Sequence, residues 1–118
     1  MHRPLGHALA LILCWAVTAL PGRVIDGDTF DVSASIWLSL AAVERVRLLG
    51  VDAPELKTAT LEAGLAAKQF TEHWLAQGPI HLTACKRDSF GRLLAKVQNE
   101  QGEDLAEALI KAGLGISR

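Results

Sequence analysis

The chain has 118 residues, room for one domain around a single small core. Half of the residues are hydrophobic, which excludes disorder as the main state, although one N-terminal run holds part of that share. A formal net charge of -1 excludes binding of nucleic acid by bulk positive charge alone, but not an anionic site masked by a cation.

Residues 8–20 read ALALILCWAVTAL, an apolar run that falls short of the roughly 20 residues a membrane-spanning helix needs. Pro21-Gly22-Arg23 ends it. Its length suits the apolar region of a secretory signal, with Arg3 and two histidines ahead of it and Ala19 as the small residue at a cleavage point. The expectation is a signal segment over residues 1–19, then one domain over 20–118. The product is exported (periplasmic or secreted), with no membrane span after cleavage, or N-terminally anchored if the segment stays. The alternative is that the run forms a first strand or buried helix of the fold. Cleavage would remove Cys14 and leave Cys85 without a partner, as a small core residue rather than a staple. His73 and His81 lack a further nitrogen or sulfur ligand at zinc spacing.

From Thr29 to Leu40 the even positions are Phe30, Val32, Ala34, Ile36, Leu38 and Leu40, so period two predicts a strand with one buried face. A turn near Ala41-Ala42 leads to a second alternating stretch, Glu44 to Val51, with Val46 and Leu48 opposite Arg45 and Arg47. Ile80–Cys85 and Leu93–Gln98 read as two more strands. Between them, Leu61 to Gln77 places Ala63, Ala66, Ala67, Phe70 and Trp74 on one helical stripe, capped by Thr58 or Thr60. Glu103 to Ala112 repeats the pattern with Leu105, Ala108, Leu109 and Ala112, and Gly113 suits the position after a helix end. Short strands followed by a helix, two strands and a helix predict a mainly β fold, a small barrel with helices packed outside.

Four stretches carry chemistry: Ile25-Asp26-Gly27-Asp28-Thr29, Arg47, Val51-Asp52-Ala53-Pro54-Glu55 and Asp88-Ser89-Phe90-Gly91-Arg92. Acids beside apolar strands are costly unless paired or metal-bound. Carboxylates at two strand ends can supply the oxygen ligands of a hard cation. Arg47, nested among Val46, Leu48 and Leu49, can grip a phosphate with both arms of its guanidinium. Each piece has a plainer reading: Asp-Gly-Asp is a common turn, and Arg47 can pair with Glu44 or Glu72 as a structural salt bridge.

Taken in order, IDGDT, RLLGVDAPE, DSFGR and an amphipathic helix ending in AGL resemble the thermonuclease, or staphylococcal-nuclease-like, family from Arg23 to about Leu114. The resemblance implies a five-stranded oligonucleotide-binding (OB) barrel with packed helices. It implies calcium (Ca2+) on Asp28, Asp52 and the carbonyl of Ala53, with Asp26 behind them. Arg47, Glu55 and Arg92 match the family's catalytic positions. The activity implied is hydrolysis of phosphodiester bonds in DNA or RNA with little sequence preference, by a monomer, leaving a 3′-phosphate and a 5′-hydroxyl. The departures concern binding. Well-known members carry lysine and tyrosine where this chain has Ser89 and Phe90, so Phe90 keeps a ring for base or sugar contact and loses the hydroxyl. The sequence stops soon after the second helix, so the expected fold lacks the family's third, C-terminal helix. The rival reading is a catalytically silent barrel that binds nucleic acid or protein. Retention of the acidic and basic positions Asp28, Arg47, Asp52, Glu55 and Arg92 argues against it.

Overall fold

Alternation of apolar and polar residues builds most of the sheet. The computed structural model describes residues 14–118, and in chain order it contains β1 (Trp15–Asp26), β2 (Thr29–Trp37), β3 (Leu40–Leu48) and β4 (Val51–Asp52). A single 3-10 turn, Thr58–Thr60, then leads into α1 (Leu61–Leu75), followed by β5 (Ile80–Arg87), β6 (Leu93–Gln98), α2 (Leu105–Lys111) and β7 (Ile116–Ser117). Five strands close into a barrel in the order β1-β2-β3-β6-β5, the expected architecture, while β4 and β7 form a separate two-stranded ribbon. All barrel pairs are antiparallel except β3 with β6. Phe30, Val46, Leu48, Ile80, Val97, Leu105 and Leu109 fill the interior, with almost no exposed surface.

The alternation read from Thr29 to Leu40 holds only at its start. Phe30 and Val32 are buried, but Ile36, Leu38 and Leu40 are exposed, because neighbouring strands flank only the base of the β2–β3 hairpin. The turn falls at Leu38-Ser39, not at Ala41-Ala42. A cross-strand register of Trp37 with Leu40 requires the tighter position.

The stripe on α1 is rotated from the expected one. Gly64, Ala67, Thr71, Trp74 and Leu75 face inward, Phe70 is half-buried, and Ala63 and Ala66 face solvent. Small and hydroxyl residues face inward here because the helix packs on backbone as well as on side chains. Thr60 occupies the N-cap position without a side-chain cap; its hydroxyl donates to the Glu55 carbonyl instead, at 2.6 Å. α2 follows expectation at both ends. Asp104 accepts from the Glu107 N–H at 3.1 Å. Gly113 takes φ +74°, letting Leu114 N–H return to the Leu109 carbonyl.

The N-terminal run divides. Arg3 and the apolar residues 8–13 of the expected signal lie outside the described residues. Trp15–Ala19 pair with Ala84–Ile80 and close the barrel between β1 and β5. Cys85 is not a core residue: it is exposed and disulfide-bonded to Cys14, one step beyond the Trp15–Ala84 pair. Among the described residues, no helix is long and apolar enough to cross a membrane.

Candidate active site

Asp26-Gly27-Asp28 is a turn and a site at once. Asp26 pairs with Thr29 across a two-residue bend that joins β1 to β2. The bend is pressed against α1. A Cβ on Gly27 would lie 2.8 Å from the Ala67 methyl and 3.0 Å from that of Ala53, so only glycine lets the turn approach. The buried Thr71 hydroxyl donates to the Gly27 carbonyl at 2.6 Å and holds the turn down.

Asp28, only 7% exposed, emerges from this turn into a fixed set of partners. Its Oδ1 accepts from the Thr29 hydroxyl at 3.0 Å and its Oδ2 from the Ala53 N–H at 2.8 Å. The Leu48 N–H donates to its backbone carbonyl at 2.9 Å. These bonds tie together the first bend, the end of β3 and the segment after β4.

Arg47 is 7% exposed, whereas Arg45, two residues earlier on β3, points to solvent as period two requires. The chain turns back over Arg47 through Gly50, at φ +87°. Its Nη1 donates to the Leu48 carbonyl at 2.9 Å and the Val51 carbonyl at 2.8 Å. Its Nη2 lies 3.5 Å from Asp28 Oδ2 and donates to Asp52 Oδ1. The plainer alternative, a salt bridge with Glu44 or Glu72, does not form: Glu44 pairs with Arg87 at 2.9 Å, and Arg47 meets Asp52 just beyond the turn and Asp28 from the β1–β2 bend.

The loop between β5 and β6 supplies Arg92. Asp88 organises that loop, accepting from the backbone N–H groups of Phe90 and Arg92 and, at 2.7 Å, from Arg92 Nε. Burial alone would raise the Asp88 carboxyl, but the donors from Arg92 and Phe90 outweigh it and hold it below its usual value. The Arg92 guanidinium carbon lies 5.3 Å from the centre of the Phe90 ring, which is itself 82% exposed. Arg47, Arg92 and Phe90 line one cleft of about 340 Å³, together with Lys86 and Arg118.

Glu55 stands to the side of that cleft, its exposed carboxylate paired with Lys57 at 2.9 Å. The Asp26 carboxyl nevertheless feels both Asp28 and Glu55. Burial pushes the Asp26 carboxyl above its usual value, and the charges of Asp28 and Glu55 add to that rise. The backbone of Glu55 is fixed by α1: a Cβ on Gly64 would lie 2.6 Å from the Glu55 carbonyl oxygen.

Sequence reasoning missed four contributors. Arg118 follows β7, which pairs with β4, and donates to Asp52 Oδ1 at 2.9 Å. Lys86 enters the cleft from the end of β5. Thr71 and Gly64 act from α1. A signal existed only for Gly64, since glycine inside a helix costs about 1 kcal/mol and calls for a packing reason.

The donor set suits a hard cation. Asp28, from the β1–β2 bend, and Asp52, from β4, approach the same Nη2 of Arg47, so two carboxylates converge on one positive point. Among the described residues, no three acidic, histidine or cysteine side chains are already gathered as a metal cage.

Residues 45–117 match the family model described as staphylococcal nuclease homologue. Two proteins described as an uncharacterized endonuclease, from Escherichia coli O157:H7 and from Escherichia coli, are each 29% identical over 102 residues, covering 86% of this chain and 61% of the relative. A thermonuclease of Staphylococcus intermedius is 39% identical over 80 residues, covering 64% of this chain and 45% of the relative. The chain thus spans about three fifths of the length of the first two relatives and under half of the third. It belongs to the staphylococcal nuclease family.

Proposed function

We propose that this member of the staphylococcal nuclease family hydrolyses phosphodiester bonds in DNA or RNA, with calcium as its metal and little sequence preference. The observation that carries the reading is one cleft lined by three guanidiniums, those of Arg47, Arg92 and Arg118, the first of them buried between Asp28 and Asp52. A phosphodiester entering the cleft meets Arg92, which Asp88 orients, and Arg47, whose Nη1 is fixed by two carbonyls. Such preorganised donors favour the extra charge that builds on phosphate oxygens at five-coordinate phosphorus. Glu55 is the candidate to orient or deprotonate the attacking water, once its carboxylate leaves Lys57. Asp28, Asp52 and the Ala53 carbonyl would hold calcium, which when bound offsets the charge of the phosphate. Asp26 stands behind them. The exposed Phe90 ring offers a face to a base or sugar. Low sequence preference fits a cleft that offers cations and one ring in place of a set of base-reading groups.

The exported location is supported by the Cys14–Cys85 bond, since disulfides persist in oxidising compartments. Cleavage after Ala19 would remove Cys14 and the residues that pair with β5, so a retained segment suits the barrel seam better. N-terminal sequencing of the mature protein decides between them.

The test is degradation of plasmid and heat-denatured DNA by the purified chain. Activity should require calcium, vanish on chelation and fall at least a hundredfold in Arg92→Lys. Cleavage that survives both chelator and Arg92→Lys would overturn the proposal.

A further inference from the structure

The β2–β3 hairpin leaves the barrel as a two-stranded arm. β1 accompanies β2 only as far as Ser33, and β6 accompanies β3 only along Val46–Leu48. Ala34 is the last residue of the outgoing strand packed on the core. From Ser33 to Val43 the sequence SASIWLSLAAV carries no charge. Leu38 at the turn is 89% exposed, and Ile36, Trp37, Leu40 and Val43 are between 61% and 73% exposed. A free two-stranded arm is marginal in water, and an apolar one with open edges invites association.

We infer that this tip is a membrane-docking wedge that inserts into the interfacial layer of a phospholipid surface. The inference is independent of the nuclease reading. Three observations favour lipid over other cover. First, the apolar residues occupy both faces as well as the turn. Val43, opposite Ser33, lies on the outer face; Leu40, three residues away on the same strand and paired with Trp37, lies on the other; Ile36 sits in the irregularity between Ser35 and Trp37, and Leu38 crowns the bend. A medium covers all sides at once, whereas a docked surface covers one. Second, the apolar side chains are divided between two faces, so neither face gathers the roughly 800 Å² that each partner of a stable complex buries. A second copy of the chain is therefore poorly served. Third, no lysine or arginine lies on the arm, whereas single-stranded nucleic acid needs a basic groove beside its stacking rings.

Tryptophan with aliphatic neighbours is the composition of interfacial anchors. Depth is limited by the backbone. Unpaired N–H and C=O groups on the arm's edges forbid the hydrocarbon core, so insertion stops after about 5–10 Å, the reach of two or three strand residues. The arm's base adjoins the catalytic loop, since Val43, Glu44 and Arg45 share a second cleft with Phe90, Gly91 and Arg92. Docking would thus hold the nucleic-acid cleft near the lipid surface.

The experiment is flotation of the full chain, disulfide intact, with phosphatidylcholine vesicles in calcium-free buffer. Wild type should float with the vesicles. Leu38→Asp/Leu40→Asp should lower the partition coefficient at least tenfold while leaving the melting temperature and cleavage of a short soluble oligonucleotide unchanged. Brominated phosphatidylcholine should quench wild-type tryptophan emission, and Trp37→Phe should lose that quenching while still floating. Wild type that stays with the unbound fraction overturns the inference. So does a double variant that floats like wild type, which would place lipid contact elsewhere in the chain. A dimer dissolved by the double variant, or DNA affinity lost without any change in flotation, assigns the tip to a second copy or to nucleic acid and equally overturns it.

Discussion

Arg47→Ala should act on folding before it acts on catalysis. The wild-type guanidinium satisfies the Leu48 and Val51 carbonyls and lies 3.5 Å from the buried carboxylate of Asp28. Removing it leaves both carbonyls without that donor and Asp28 without its cation, while the Thr29 and Ala53 donors remain. Breaking a buried pair from one side costs about 3–5 kcal/mol, out of roughly 5–15 kcal/mol for a whole domain. At roughly 4 °C per kcal/mol for a domain of this size, the melting temperature should fall by about 12–20 °C. Arg47→Met with Asp28→Asn removes charge from both sides and should recover at least 1 kcal/mol of that loss in a double-mutant cycle. Arg47→Lys keeps the charge without the fork and should lie between. The assay is thermal melting without metal, repeated with urea. A melting temperature for Arg47→Ala within about 4 °C of wild type, roughly 1 kcal/mol, would refute this account of the buried guanidinium.

Arg92 is the cleaner catalytic probe, because its side chain is partly exposed and, among the described residues, its ion-pair partner is Asp88 alone. Arg92→Lys and Glu55→Gln should each lower turnover by about a hundredfold or more with melting unchanged, and calorimetry should show weaker nucleotide binding for the arginine variant only. Gly64→Ala ordinarily gains about 1 kcal/mol inside a helix, but the Glu55 carbonyl blocks the methyl, so the substitution should destabilise by about 1–3 kcal/mol and lower activity; a higher melting temperature would contradict the packing. Cys14 and Cys85 are 71 residues apart, and reducing their bond should cost about 4 kcal/mol, read as a lower urea midpoint in reductant. Acid should destabilise the fold partly through Asp31 and Glu44, whose carboxyls are held below their usual values by hydrogen bonds from Arg45 and Arg87. Their contribution is fully present above the unfolded values near pH 4 and lost as pH falls through the lower folded values. Asp31→Asn/Glu44→Gln should flatten the acid limb of urea midpoints below pH 4, and an unchanged limb would rule these pairs out.

Local pattern sufficed for the presence of the barrel strands after residue 28 and for α2, though not for the β2–β3 turn, because period two and period 3.6 are properties of neighbouring residues. The four motifs likewise offered Asp28, Arg47, Asp52 and Arg92 as candidates through residue type and order, before any fold was known. The identity of a partner was not. Arg47 meets Asp28 and Asp52 instead of Glu44 because the turn through Gly50 folds Asp52 back and the bend at Gly27 brings in the distant Asp28, over a residue that period two would leave in solvent. Thr71 and Gly64 matter through backbone carbonyls that no side-chain pattern records. The apolar hairpin carries the same alternation inside and outside the barrel, and only the number of flanking strands decides that Phe30 is buried while Leu38 is bare. Periodicity specifies which way a side chain points; what waits there is set by chain closure over long separations, which is a tertiary property.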